Sequence, residues 1–254
     1  MINGVYRHVF VSARELQSAN IPKQTETQGA SWINKYLKYT HGYGVAMSPV
    51  NEVTASGQPR LFIKDMPLVS DIDIKIDVPQ IYFGEATKDF VIVNTREKEF
   101  DYPATNVNME TEYNGTGGIK LNILNRLFFA VREGKFNFIL SQDINSKSRI
   151  LINREIRKRA EKIAPFLMYD DDPYIIINDG KLYWIIDAYT VSNRYPYSEK
   201  INSQTSTNYI RNSVKVVIDA YNGTTDFYIA DPGDPLIRTY SNIFTTLFKS
   251  IDEM

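Results

Sequence analysis

Between residues 212 and 248 three local patterns agree on one layout. Residues 214–220 are rich in β-branched side chains, Asn222-Gly223 supplies the positive φ angles of a type I′ turn, and residues 225–230 resume the strand pattern. That is the signature of a β-hairpin. Asp234-Pro235 follows, an N-cap residue beside a proline preset for the first helical position. Leu236, Tyr240, Ile243 and Leu247 then recur at helical spacing, with Ile237, Phe244 and Phe248 widening the stripe. The spacing predicts a helix over 235–249 packed on the hairpin.

Upstream, residues 5–11 alternate as a strand, 12–16 read as a short helical turn, and 18–29 as a polar loop. Ser31 is a plausible N-cap for a helix carrying Trp32, Tyr36 and Tyr39 along one side, ended by the His41-Gly42-Tyr43-Gly44 turn. Residues 45–53 are extended and broken by Pro49. In 71–78, Asp71, Asp73, Lys75 and Asp77 alternate with Ile72, Ile74, Ile76 and Val78, the pattern of a half-buried strand. Residues 80–83 and 90–94 read as a hairpin around 84–88. Gly115-Thr116-Gly117-Gly118 opens a predicted helix to about Glu133, with Leu124, Leu127, Phe128 and Val131 as its core face. Residues 136–140 read as a buried strand. A helix over 148–167 places Ile152, Ile156, Ala160 and Ile163 inward and Arg149, Arg154, Arg157, Lys158, Arg159 and Lys162 outward. Residues 174–178 and 181–187 flank Asp179-Gly180 as a third hairpin. The expected fold is α+β: antiparallel hairpins and sheets with three main helices, 119–133, 148–167 and 235–249, packed on them. The 254 residues read as one soluble region, for which two lobes, 1–113 and 114–254, are the alternative division.

Composition narrows the function classes. A chain of 254 residues that is 43% hydrophobic can bury a substantial core. Lys+Arg of 29 against Asp+Glu of 30 removes the electrostatic argument for a nucleic-acid binder. With Cys at 0, disulfides, thiolate metal sites and cysteine nucleophiles are excluded. No run approaches the roughly 18 apolar residues of a membrane span, and the opening residues lack a signal-peptide layout. Tyr 17 and Phe 13 favour sheet surfaces and aromatic-lined grooves.

Candidate chemistry is sparse. His8 and His41 are the two histidines. His41, in a Gly-flanked turn beside the candidate binding residue Tyr43, is the candidate acid/base, with a carboxylate such as Asp65 or Asp172 behind it; the competing reading has it simply bonding its turn. Gly-x-Ser-x-Gly, His-Glu-x-x-His and Gly-Lys-Ser/Thr are all missing. Gly115-Thr116-Gly117-Gly118 can cradle an anion or merely lead into a helix. Asp170 and Asp172 are the candidate metal ligands, weighed against a solvated turn. Arg154, Arg157 and Lys158 are the candidate phosphate or lipid-headgroup contacts, although Glu155 and Glu161 interleave them as on an ordinary solvated face. No cofactor is implied. The balance leans away from catalysis, with a hydrolase or transferase acting on envelope material as the rival.

Longer strings carry a resemblance. His41-Gly42-Tyr43-Gly44-Val45 running into Met47-Ser48-Pro49-Val50-Asn51-Glu52-Val53, Ile81-Tyr82-Phe83-Gly84-Glu85, and Val91-Ile92-Val93-Asn94-Thr95 with Glu99-Phe100-Asp101-Tyr102-Pro103 form one group. Ser148-Arg149-Ile150-Leu151, Lys162-Ile163-Ala164-Pro165-Phe166-Leu167, Asp187-Ala188-Tyr189-Thr190 with Arg194-Tyr195-Pro196-Tyr197, and Asn208-Tyr209-Ile210-Arg211-Asn212-Ser213-Val214-Lys215 form another. In order, from about Val5 to Phe248, the chain resembles the uncharacterised bacterial membrane-protein family numbered 0182. The resemblance implies a large multi-pass protein whose membrane helices precede a big soluble region on the outer side, with no established biochemical role. On that basis the chain is expected to be an excised piece of the extracytoplasmic region, non-enzymatic, binding or scaffolding protein or peptide in the cell envelope. Its implied partners are the rest of its own membrane-spanning chain and another envelope protein or peptide. The chain departs from that pattern by lacking membrane helices and stopping at Met254. The hairpin over 214–230 also resembles the terminal hairpin of PepSY modules, which implies a cystatin-like helix-on-sheet lobe.

Overall fold

A computed structural model describes residues 2, 4–17, 28–105, 107–201, 203 and 205–254. The fold is α+β, and its contacts divide the chain into two units. Unit 1 comprises residues 1–155 with the hairpin tips 177–182 and 220–223; unit 2 comprises 156–176, 183–219 and 224–254.

Unit 1 contains β1 (Val9–Ala13), α1 (Gln28–Ile33) continuing as a π-helical segment (Asn34–Lys38), β2 (Gly42–Tyr43), β3 (Val45–Pro49), β4 (Ile63–Lys64), β5 (Val69–Ser70), β6 (Gln80–Ile81) and β7 (Val91–Val93). β8 (Glu99–Pro103), β9 (Asn108–Thr111), β10 (Ile119–Lys120), α2 (Ile123–Glu133), α3 (Asn137–Leu140) and β11 (Arg149–Leu151) complete it. The strands form small sheets ordered β1-β3-β4-β5, β10-β11-β7, β2-β6 and β8-β9. Beside them an aromatic core joins Trp32, Tyr36, Phe90, Phe129, Phe138 and Ile150. Tyr36 stacks on Phe90 with centroids 4.4 Å apart.

Unit 2 is built on α4 (Ile156–Ile163), β12 (Met168–Tyr169), β13 (Tyr174–Asn178), β14 (Lys181–Ser192), β15 (Tyr209–Asp219), β16 (Thr225–Ile229), α5 (Pro235–Ile243) and β17 (Phe248–Ser250). Its sheet runs β12-β14-β15-β16-β17, with β13 also on β14. Two of the three expected hairpins, 174–187 and 214–230, are present. Asp179 and Gly180, at φ 47° and 73°, make the first turn as expected. At the second, only Gly223 has positive φ, and the loop is wider than a two-residue turn, closing at Asp219 N to Thr224 O. The widening frees the Ala220 carbonyl to accept from the amides of Tyr82 and Phe83.

Asp234 begins α5 as expected, with Pro235 in the first turn. Its carboxylate is buried, taking Leu236 N at 3.0 Å, Tyr209 OH at 2.6 Å, Ser213 Oγ at 2.6 Å and Thr190 Oγ1 at 2.5 Å. One cap therefore ties α5 to β14 and β15. The helix stops at Ile243, short of 249, because residues 248–250 are taken by β17, which pairs in parallel with β16.

Several expected elements are different. The alternation over 71–78 survives as alternating exposure, but the segment belongs to no strand; Asp77 and Val78 give their amides to the Gly180 carbonyl. Segments 80–83 and 90–94 are not a hairpin, since β6 pairs with β2 and β7 with β11. Ser12 and Ala13 extend β1 against β3, so no helical turn forms there. α1 is under way by Gln28, which makes Ser31 internal, and the polar segment before it lies outside the described residues over 18–27. Gly115 to Gly118 do not open α2. Tyr113, Asn222 and Ile150 crowd these glycines so closely that a Cβ would collide, and β10 intervenes before Asn122, which caps α2 by accepting Asn125 N at 2.8 Å. Residues 137–140 form the short helix α3 after Phe136, with Phe138 buried but Phe136 and Leu140 exposed. Residues 149–151 are strand β11, and the basic helix shrinks to Ile156–Ile163 with Ile163 exposed.

Candidate functional site

Unit 1 encloses a polar centre around Arg154. Asn153, at φ 50°, turns the chain sharply after β11, a conformation that asparagine tolerates better than most residues. Arg154 follows, buried, and donates Nε to Tyr82 O at 2.6 Å, Nη1 to Asp89 O at 3.1 Å and Nη2 to Thr40 O at 2.5 Å. Its own carbonyl accepts from Gly84 N and Thr87 Oγ1. Burial lowers its pKa to about 10, so it stays charged at neutral pH. Next to it, Glu99 on β8 takes Thr40 Oγ1 and Tyr82 OH on Oε2 and the Tyr113 amide on Oε1. Burial pushes Glu99 up to about 7 despite those bonds and Arg154.

His41 adjoins this network. Its Nδ1 donates to Gly42 O at 2.9 Å, which leaves Nε2 as the unprotonated nitrogen. Nε2 lies 3.9 Å from Asp101 Oδ1 with the side chain fully enclosed. Burial and the nearby Arg154 charge lower the His41 pKa to about 4, so the His41–Asp101 approach is no ion pair at neutral pH. Asp101 is instead held by Gln80 Nε2 at 3.0 Å. General acid/base work needs contact with a reacting group. A neutral, enclosed imidazole bonded to its own turn fits a structural role.

The remaining candidates are dispersed. Asp65 is exposed after β4, where its carbonyl accepts from Arg14, and Asp172 belongs to unit 2. Tyr43 is buried on β2 against Tyr102, and burial raises its pKa to about 12. Arg154 is no part of a basic helix face: it precedes α4 and points into unit 1. Arg157 pairs with Glu161 and Asp171, while Lys158 is exposed. Asp170 accepts Tyr189 OH at 2.8 Å and Asp172 N at 3.2 Å, so these neighbouring carboxylates shape a turn. Among the described residues, no group of three potential metal ligands converges. Glu99 heads one of the strings that carry the family resemblance and Thr40 directly precedes another, but neither matches a chemical motif; only the fold brings residues 40, 82, 99 and 154 together.

The most unusual surface is that of α2 and α3. Gly134, at φ 62°, ends α2 with its amide on Ala130 O and Val131 O. Arg126 locks α3 onto α2 by donating Nε to Phe138 O at 2.7 Å and Nη2 to Ile139 O and Ser141 O. Phe129, Ala130 and Phe138 face the aromatic core. Ile123, Leu124, Leu127, Phe128 and Val131 fall within about 140° of arc at 100° per residue, and this arc points outward. Ile123 is 85% exposed, Phe128 67% and Val131 78%, and the exposed Phe136, Ile139 and Leu140 extend the apolar surface across α3. The core face expected for 119–133 is therefore the outer face. The helix is mounted with Phe129 and Ala130 inward, Arg126 turned to α3 and the broader hydrocarbon arc outward.

No solved structure matches this chain. The UPF0182 protein of Alkaliphilus metalliredigens is 56% identical over 253 residues, that of Pelotomaculum thermopropionicum 52% over 255, and that of Clostridium novyi 54% over 254. Each alignment covers 100% of this chain but 27% of the relative, so the chain spans about a quarter of the length of the curated relatives it matches. Among the described residues, no helix is long and apolar enough to cross a membrane. The model of the Uncharacterised protein family (UPF0182) matches residues 1–254 in full. The chain belongs to that family.

Proposed function

We propose that this region is a non-enzymatic docking module of a longer envelope protein, and that the outer face of α2 and α3 is its contact surface. The observation that carries the reading is the run of eight large, exposed hydrocarbon side chains from Ile123 to Leu140. Contiguous apolar patches of more than a few hundred Å² are rare on free-standing soluble proteins and mark contact sites. Covering a Leu or Phe side chain contributes about 1.5–3 kcal/mol, so even partial cover of this face is strongly favourable. The buried polar centre supports the same reading from the other side, since Arg154 is taken up by backbone carbonyls and Glu99 by two hydroxyls and the Tyr113 amide. The anchorage in an envelope protein rests on the chain's being part of longer relatives and on the family resemblance of its motifs.

The test is photochemical. Phe128 is replaced by benzoylphenylalanine in the full-length protein in cells, with the exposed Asp172 replaced as a control. A covalent adduct from position 128 that position 172 does not form supports docking. Equal or absent adduct formation at the two positions overturns it.

A further inference from the structure

Resting on that reading, we infer that what covers the α2–α3 face is the headgroup–acyl boundary of an anionic phospholipid bilayer. Three observations favour lipid over a protein groove. The outer arc offers no side-chain donor or acceptor: Ile123, Leu124, Leu127, Phe128, Val131 and Phe136 are hydrocarbon throughout, whereas protein interfaces carry about one hydrogen bond per 100–200 Å². The ends of the helical hairpin are already satisfied, as entry into a low-dielectric layer demands. Asn122 caps the start of α2, Gly134 closes its end, and Arg126 takes the carbonyls of Phe138, Ile139 and Ser141.

Charge is the third. With Arg126 turned to the carbonyls of α3 and Arg132 paired with Glu133, the one acid of residues 119–141, Lys120 and Lys135 leave the flanks of the arc basic in a chain whose net charge is -1. An apolar arc with a basic rim is the pattern of an interfacial helix. The 11 residues of α2 extend about 16 Å, far too short to span, so the helix lies in the plane of the surface.

The experiment is flotation of the purified chain with vesicles of phosphatidylcholine alone or mixed equally with phosphatidylglycerol. The chain is expected to float with the mixed vesicles and to release as salt rises. The double substitution Leu124→Glu/Phe128→Glu is expected to lower partitioning about a hundredfold or more, and Lys120→Gln and Lys135→Gln about fivefold each at low salt. Circular dichroism checks that these variants remain folded. A conservative variant gives an independent readout: the Phe128→Trp indole should shift to the blue and be quenched by brominated lipid. No flotation and no quenching would overturn the inference. If position 128 still cross-links to a protein segment in cells, docking stands and the bilayer falls; if it cross-links to nothing, both fall.

Discussion

Tyr82 donates its hydroxyl to Glu99 Oε2 at 2.8 Å, and Thr40 Oγ1 meets the same oxygen at 2.5 Å. This pair sits where burial holds Glu99 near 7, against its ordinary 4.5. The folded state thus binds the proton more tightly than the unfolded chain. The stability from Glu99 is complete below about pH 4.5 and is lost as pH rises through 7, a swing of at most about 3 kcal/mol at 1.36 kcal/mol per unit. His41 has the opposite sign: its folded pKa of about 4 lies below 6.5, so its contribution is complete above 6.5 and lost as pH falls through 4. Burial also raises Asp101 and Glu15, which act in the same sense as Glu99. Glu99→Gln should cost about 1–3 kcal/mol at pH 5, because the side-chain NH2 that replaces one carboxyl oxygen cannot accept, and either the Thr40 and Tyr82 hydroxyls or the Tyr113 amide loses its acceptor. That deficit should shrink by up to about 3 kcal/mol by pH 8. Urea unfolding at the two pH values measures it, and a constant deficit would mean that Glu99 titrates normally.

The acid limb belongs to His41. His41→Phe removes the group that must charge as the protein unfolds in acid, so the loss of stability between pH 6.5 and 4 should flatten. At pH 7 the cost should be only about 1–2 kcal/mol, from the lost Nδ1 bond to Gly42 O. Unfolding midpoints of the two proteins across that range decide it; an unchanged acid limb would assign it elsewhere.

Arg154 and Arg157 separate a buried tie from a surface charge. Arg154→Lys keeps the charge but cannot reach the carbonyls of residues 40, 82 and 89 together, and should cost about 3 kcal/mol or more. Arg157→Ala breaks a half-exposed pairing with Glu161 and should stay within about 1 kcal/mol. Denaturant midpoints of both variants check the contrast, and equal losses would restore the single basic face that the sequence suggested.

Local signals were the most readable part of this chain. Asp179-Gly180 and Asp234-Pro235 did what their chemistry requires, because turn and cap bonds reach only a few residues. The two long β-branched hairpins followed the same logic. What failed was partner choice. Residues 71–78 alternate in exposure as well as in type, yet the segment bends, with Ile74 N on Ile72 O, and pairs with no strand among the described residues, so the pattern remains without a ladder. α2 failed in the opposite way: its period is correct, but a period says only that a stripe is buried by something, not that this chain provides the cover. The polar centre was invisible because its members come from four separate segments and are joined largely through backbone carbonyls.

The inverted mounting of α2 predicts a reversed mutational pattern. Phe129→Ala and Phe138→Ala open the aromatic core and should cost about 3–5 kcal/mol each. Leu124→Glu and Phe128→Glu, on the outward arc, should change the stability of the isolated chain by less than about 0.5 kcal/mol while improving its solubility. Thermal unfolding of the four variants measures this. Large losses at 124 and 128 would show that the helix packs the other way round.

Asp234 gives the sharpest test in unit 2, because it combines a helix cap with a junction. Although burial opposes its charge, the bonds from Ser213, Thr190, Tyr209 and the Leu236 amide outweigh it and hold the pKa below the ordinary 3.8. A depressed folded pKa stabilises above 3.8 and is lost as pH falls, so Asp234 favours folding throughout the neutral range. An N-cap replaced by alanine usually costs about 1 kcal/mol. Asp234→Ala should cost about 3 kcal/mol or more, since it also takes the strong acceptor from the Tyr209, Thr190 and Ser213 hydroxyls and leaves the last two only their long contacts with each other and with Arg211 O. Asp234→Ser restores the cap to Leu236 but is too short to serve the rest, and should recover only about 1 kcal/mol of that loss. Unfolding free energies of the two variants distinguish the roles. Full recovery with serine would reduce Asp234 to an ordinary cap, whereas partial recovery shows that α5 is held to β14 and β15 through this one carboxylate.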